Sequence, residues 1–359
     1  MRAVAVRGTN FRCYSRLELE LDAGVVAAVG PNGAGKTALV EMIHFSALGY
    51  SPRTSADPQL VTLGADFLRT ELDADVAAGR TSVEIGYRPG EPKRVVVDGA
   101  AERSVERLLG RFPVLVFTPD RLRVVQGPPA LRRSYLDRVL ARLWPRLAEA
   151  SHEYSRRLSQ RNHLLKRVRA GVAAEDGLDA WDTVLAEAGA SLVAARARLC
   201  SRLAGPLERR LSELGGTPGA PAIRYLPNAE GDAAELGRVL AARRRRDIDR
   251  AATGAGPHLD DLALIDADRD LRHYGSQGEQ RRALLALILA EADLLGEERS
   301  EEPLLLLDDV TSELDQQRRE RLLEAVASFQ QTVVTTADEA DLGGRAQTVL
   351  RVAGGQVTR

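Results

Sequence analysis

The sequence predicts an α/β fold, built from both ends of the chain around an inserted, mainly helical lobe. Three observations predict it. Near the N-terminus, Gly30-Pro31-Asn32-Gly33-Ala34-Gly35-Lys36-Thr37 fits G-x-x-x-x-G-K-[ST], the pattern of a phosphate-binding loop. Near the C-terminus, Leu304-Leu305-Leu306-Leu307 runs into Asp308 and Asp309, as a strand buried on both faces and ending in two carboxylates would. Between them, residues 121–250 carry apolar side chains at helical spacing.

The loop has the setting its chemistry needs. Val25-Val26-Ala27-Ala28-Val29 precedes it as a strand, and Ala38-Leu39-Val40-Glu41-Met42-Ile43 follows it as a helix. Glycines let the backbone close around an anion, and the free amides of the helix N-terminus attract phosphate oxygens. Lys36 is expected to reach the β and γ phosphates, and the Thr37 hydroxyl to hold Mg²⁺. Residues 30–37 are therefore the expected nucleotide-binding loop. The bland alternative, a glycine turn, does not require the Lys-Thr pair.

Composition narrows the class. The chain has 359 residues, 44% hydrophobic, enough for one large core and an appended lobe. Its net charge is −1, so a nucleic-acid surface must be local. Two cysteines, Cys13 and Cys200, with no C-x-x-C, argue against a zinc knuckle or disulfide framework. The longest apolar stretch, around 283–290, is too short for a membrane span. A cytoplasmic protein with no membrane partner is expected.

Taken in order, residues 2–7 and 17–21 alternate as strands, with Asn10-Phe11-Arg12 between them. On spacing alone Arg12 is a loop residue. Ser51-Pro52-Arg53 opens a polar loop. Residues 81–88 and 93–97 read as a hairpin around Pro89-Gly90-Glu91-Pro92, and 113–117 as a short apolar strand. Residues 121–169 hold 13 Lys and Arg against 3 Asp and Glu. Helical spacing continues through 181–214, stops at Gly215-Gly216-Thr217-Pro218-Gly219, and returns at 234–246, which ends in Arg243-Arg244-Arg245-Arg246. Strand patterning resumes at 262–265, a helix is expected over 279–295 and another over 314–328, and 332–335 and 349–352 close the fold. The expected domains are 1–120 with 251–359, and the inserted lobe 121–250.

The charge excess of the lobe has two readings. Arginines on amphipathic helices are commonly a solvated face. Clustered on one lobe of a neutral protein, they also suit a phosphate backbone, with Arg132, Arg133 and Arg243, Arg244, Arg245, Arg246 as candidate DNA contacts. Asp308, at the end of the leucine strand, is the expected Mg²⁺ ligand, and Asp309 a candidate to orient or deprotonate water. Ser276-Gln277-Gly278-Glu279-Gln280 precedes a long helix, where Ser276 and Glu279 could form a capping box or an anion site.

Together, the phosphate loop, the Ser-x-Gly-x-Gln helix start and the two strand-end acids resemble the ABC-type P-loop ATPases. Asn10-Phe11-Arg12, Glu41 and Ser51-Pro52-Arg53 look like the SMC-related branch, though the insertion lacks its long heptad coiled coil. Phe117-Thr118-Pro119-Asp120, Gln126-Gly127-Pro128-Pro129 with Arg132-Arg133, Gly256-Pro257-His258-Leu259-Asp260-Asp261 and Tyr274-Gly275-Ser276-Gln277-Gly278-Glu279-Gln280-Arg281 resemble bacterial RecF over essentially the whole chain.

The resemblance implies ATP and Mg²⁺ as ligands, DNA as partner and an ATP-dependent homodimer. It also implies action with RecO and RecR in loading RecA at single-strand gaps, reset by slow ATP hydrolysis. It places Arg12 near the nucleotide, makes Lys36 and Asp309 the catalytic pair, and makes Ser276, Gly278 and Gln280 a signature that meets the ATP of a second copy. Ser312-Glu313-Leu314-Asp315 matches the dimer-seam loop, and Gln126 is the nearest candidate for the Q-loop glutamine. Three positions depart from the pattern. Leu259 stands where the family usually has Arg, Thr335-Thr336-Ala337-Asp338 offers no switch histidine, and Asp309 is one methylene shorter than the usual Glu. Two alternatives follow: an ATP-gated DNA-binding module without turnover, and a transport ATPase subunit, which the missing histidine and the arginine-rich lobe disfavour.

Overall fold

Alternation at the N-terminus becomes an antiparallel sheet, and the apolar runs become a mainly parallel one. The computed structural model describes residues 1–216, 222–311 and 314–359. The chain begins with β1 (Arg2–Phe11), β2 (Tyr14–Glu20), β3 (Gly24–Val29) and α1 (Lys36–Leu48). Then come β4 (Leu68–Val76), β5 (Gly79–Tyr87), β6 (Arg94–Val97), β7 (Ala100–Glu102), the single turn α2 (Glu106–Leu109) and β8 (Val114–Phe117). The helical stretch holds α3 (Arg123–Gln126), α4 (Pro129–Leu143), α5 (Pro145–Arg169) and α6 (Leu178–Glu213). It continues with β9 (Ala222–Leu226), α7 (Ala233–Arg250), β10 (Asp261–Asp266), β11 (Arg269–Asp270) and α8 (Leu271–Tyr274). The chain closes with α9 (Gln277–Arg299), β12 (Leu304–Leu307), α10 (Gln316–Ala327), β13 (Gln331–Thr336), β14 (Thr348–Ala353) and β15 (Gln356–Thr358).

Two units emerge. The first comprises Met1–Leu122, Arg209–Thr217 and Gln277–Arg359, and the second Arg123–Glu208 and Pro218–Ser276. Residues 251–276, expected with the chain ends, belong to the second. The reason is strand pairing: β10 runs antiparallel to β9, with Leu264 opposite Ile223. No helix among the described residues is long and apolar enough to cross a membrane.

In the first unit, the antiparallel sheet has the order β2-β1-β4-β5-β6-β7 and the second sheet the order β15-β14-β3-β13-β12-β8. Strand β3 lies between β13 and β14, parallel to both, and β12 lies between β13 and β8. All four residues of β12 are buried, as its unbroken leucines require. Helix α1 packs on both sheets, so every residue of it except Thr37 is buried. Its Leu39, Met42, Ile43 and Phe45 join Val6, Phe11, Leu304 and Leu306 in one core. Each such side chain contributes roughly 1.5–3 kcal/mol on burial, so the helix that carries the phosphate loop rests on a rigid base.

In the second unit, α4 and α5 each begin with a proline at their first position, where no N–H is needed. The Gly256–Asp261 stretch ties that unit together. Asp261 receives Arg132 Nε at 2.6 Å and Nη2 at 2.9 Å. Asp260 accepts the Asn228 N–H at 2.7 Å, and the Pro257 carbonyl accepts Arg196 Nη1 at 2.8 Å. His258 Nδ1 lies 2.6 Å from the Tyr154 hydroxyl.

Candidate nucleotide site

The phosphate loop turns on glycines held where other residues would be strained. Gly33 has φ 80° and Gly35 φ 116°, both in the left-handed region. A Cβ on Gly35 would also stand 2.9 Å from the Tyr14 hydroxyl and 3.0 Å from Cys13 Sγ. Gly35 caps α1 with no side-chain partner, so the first-turn amides are left for an anion. Gly30 packs against the Val352 carbonyl, Pro31 accepts the Ala34 N–H at 3.2 Å, and Asn32 is exposed on the turn.

Lys36 Nζ donates to the carbonyls of Gly30 at 2.5 Å and Pro31 at 3.0 Å. Burial holds its pKa below the ordinary lysine value, and the charges of Asp309 and Asp308 oppose that shift. Thr37 Oγ1 donates to Asp308 Oδ1 at 3.0 Å, joining the loop to the end of β12. Burial pushes the Asp308 carboxyl above the ordinary value. Hydrogen bonds from Thr335 and Thr37 and the positive charge of Arg53 resist the shift. Asp309 adopts φ 49°, and its backbone N–H donates to Thr335 Oγ1 at 2.8 Å.

Arg12 sits in a tight turn between β1 and β2 at φ 53°. Its Nε and Nη2 each meet a different oxygen of Glu41 at 2.8 Å, and Nη1 donates to the Gln59 carbonyl at 2.8 Å. Glu41 is fully buried and also accepts the Ser51 hydroxyl at 2.5 Å, with Arg53 Nη1 at 3.6 Å. This fork–fork pair fixes the arginine to the helix that bears the loop. Next to it, the Tyr14 hydroxyl donates to the Gly35 carbonyl at 2.9 Å.

The signature residues fall at the start of α9. Ser276 is exposed, Gly278 half-buried in the first turn, and Gln280 buried. Ser312 and Glu313 lie outside the described residues. Asp315 caps α10 by accepting the Arg318 N–H at 2.8 Å. Gln126 is exposed at the end of α3.

The candidate DNA arginines separate by environment. Arg132 is 2% exposed and bonded to Asp261, Val125 and Gly127, so it is a structural cation, which corrects the expectation of a DNA contact. A side chain enclosed with its counter-ion cannot meet a phosphate backbone. Arg244 is likewise engaged, with Asp179 at 2.5 Å and Asp182 at 2.6 Å. Arg133 and Arg243 are half-buried, while Arg245 and Arg246 are exposed.

Three residues take parts here that the sequence did not assign them. Thr335 bonds both strand-end acids, with its hydroxyl 2.9 Å from Asp308 Oδ1. Glu41 anchors Arg12, and Arg53 places a charge near Asp308. No local motif marks Thr335, whose part depends on β13 lying beside β12.

Known proteins match this arrangement. A family model described as an AAA domain matches residues 5–108. The DNA replication and repair protein RecF of Acidothermus cellulolyticus is 40% identical over 354 residues, covering 93% of each chain. That of Streptomyces avermitilis is 38% identical over 352 residues, again covering 93% of each. Among solved structures, the recombination mediator protein RecF-ATP of the RecFOR pathway superposes with a TM-score of 0.89 at 29% identity, covering 99% of this chain and 97% of that one. An SMC head bound to the C-terminal winged-helix domain of ScpA superposes with a TM-score of 0.61 at 14% identity, covering 100% of this chain and 96% of that one, a likeness of fold.

Proposed function

The chain belongs to the RecF family of DNA replication and repair proteins, and from that premise we propose that it is an ATP-gated DNA-binding protein of recombinational repair. The observation that carries the reading is the Thr37–Asp308 bond at 3.0 Å. It unites the phosphate loop and the strand-end acid, two groups that serve one nucleotide in P-loop ATPases.

The residues present suit Mg²⁺. A hydroxyl and a carboxylate oxygen converge at Thr37 and Asp308, the hard donors this ion takes. No cluster of three His, Cys, Asp or Glu occurs among the described residues. Mg²⁺ held mainly by phosphates and waters needs none. When bound, the ion neutralises charge on the β and γ phosphates. Lys36 leaves its two carbonyls for phosphate oxygens, and the α1 amides orient the same group. Arg12, held by Glu41, stands beside the loop as a nucleotide contact. Asp309 positions the attacking water.

The chemistry is incomplete in one copy. The exposed Ser276, with Gly278 and Gln280, supplies the second half of each site to the ATP of another copy. ATP then stabilises the homodimer by linkage, and slow hydrolysis releases it. As a cytoplasmic clamp on DNA, the dimer works with RecO and RecR to load RecA at gaps. A second reading keeps the ATP-gated clamp but removes turnover. It rests on the short Asp309 side chain, set on a left-handed backbone. Sedimentation with and without ATP, on gapped, single-stranded and duplex DNA, tests the clamp: a chain that stays monomeric with saturating ATP and DNA would sink it. DNA-stimulated phosphate release separates the two readings.

A further inference from the structure

We infer that the joined C-terminal ends of α5 and α7 form a binding surface for the phosphate backbone of duplex DNA, made by Lys166, Arg167, Arg169, Arg245, Arg246 and Arg250. The inference rests on the DNA-binding reading above and says where on the second unit that binding occurs.

The two helices run side by side in the same direction. Tyr154 and Leu158 of α5 share a core with Leu236 and Leu240 of α7. Further along, Arg161 Nη1 meets Asp247 Oδ2 at 2.9 Å, and Asn162 Oδ1 accepts the Thr253 N–H at 2.8 Å. Both C-termini therefore emerge at one end of the unit. Arg169 lies about 12 Å beyond Arg161 along α5, and Arg250 about 4.5 Å beyond Asp247 along α7.

The cations of this unit fall into two groups. Arg161 is fully buried between Asp182 and Asp247, and Arg244 is held by Asp179 and Asp182. These pairs span α5, α6 and α7 and set their ends rigidly. By contrast, Lys166, Arg167, Arg169, Arg245, Arg246 and Arg250 are all exposed, and none forms an ion pair among the described residues. Helix dipoles favour a cation or two in each last turn. They do not account for six exposed at one end of the unit. Glu175, Asp176 and Asp249 are exposed nearby and leave the local charge positive.

The chemistry of the patch selects the partner. Five of the six are arginines, whose planar forks suit phosphate oxygens. No Phe, Tyr or Trp side chain in this patch is exposed, so it offers no broad stacking platform for unpaired bases. A duplex presents one charge per roughly 1.7 Å of its axis, enough to engage several of these cations at once.

The test measures duplex affinity in ATP across a salt series, by anisotropy, for the wild type and two triple variants. These are Lys166→Glu/Arg167→Glu/Arg169→Glu and Arg245→Glu/Arg246→Glu/Arg250→Glu, each with a Gln counterpart as a milder change. Each Glu triple is expected to weaken duplex binding at least about tenfold near 100 mM salt and to flatten the log–log salt slope by about 2 to 3, the Gln triples by less. Melting temperature and ATP affinity should stay unchanged. Wild-type affinity and slope in the variants would overturn the inference, as would a loss confined to single strands. A wild type that binds no DNA with ATP would overturn the DNA-binding reading and the inference with it.

Discussion

The Thr335 hydroxyl donates to Asp308 Oδ1 across 2.9 Å and accepts the N–H of Asp309, so one side chain aims both strand-end acids. Thr335→Val keeps the shape and removes that link. Asp308 loses a fixed orientation and the Asp309 amide loses its acceptor, at a cost of roughly 1–3 kcal/mol. The expected outcome is a Mg²⁺-dependent ATP affinity weakened about tenfold, with Mg²⁺-free nucleotide binding little changed, as read by titration with and without chelator.

Ser276→Arg should leave ATP binding to the single chain intact and abolish ATP-dependent dimerisation. The side chain is exposed, so the larger residue disturbs no core. Analytical ultracentrifugation gives the answer, and a normal ATP-induced dimer in this variant removes the sandwich arrangement.

Asp309→Asn should bind ATP and hold the dimer longer, with phosphate release slowed at least about tenfold, as expected when a group assisting water is neutralised. Turnover equal to wild type would free Asp309 of that role.

Arg132→Met should lower stability by roughly 3 kcal/mol, because it takes from the partly buried Asp261 carboxylate its two-pronged partner and leaves only the more distant Arg272. Its DNA salt slope should not move. A flattened slope at wild-type stability would restore Arg132 to the surface track.

The pH dependence of the second unit should follow His258. Burial holds its pKa below the ordinary value, against the Thr253 carbonyl and the charges of Asp260 and Asp247, while Arg133 adds to the lowering. The folded chain therefore resists protonation that the unfolded chain accepts. The stability this provides is full above about pH 6.5 and is lost as pH falls toward the lowered folded value. Melting curves between pH 7.5 and 5.5 should show a decline in the wild type that is reduced in His258→Gln.

Contiguous chemistry was legible. The phosphate loop, the leucine strand with its acids and the helix beginning at Gln277 each reveal themselves within a few residues, because one local geometry demands them. What was illegible depends on partners far along the chain. Arg132 reads as a surface cation until Asp261, 129 residues later, closes on it. Residues 262–265 read correctly as a strand, but nothing local names β9 as its neighbour. Thr335 carries no motif and acts only because β13 lies beside β12. Glu41 reads as one polar residue in an apolar helix until the turn at Arg12 supplies its counter-charge.

The position of β3 between β13 and β14 governs how this protein can be made. The strand that leads into the phosphate loop gains its neighbours only from residues 331–353, and Thr37 waits 271 residues for Asp308. On the ribosome, the antiparallel N-terminal sheet and the helical unit can form from what has already emerged, but the nucleotide site cannot. Such long-range closure is slow. A transcript cut short between α1 and β13 yields a polypeptide with its phosphate loop intact in sequence and neither parallel neighbour of β3 to hold it. For this chain, the joining of Thr37 to Asp308 is a property of molecules whose last strands have been made.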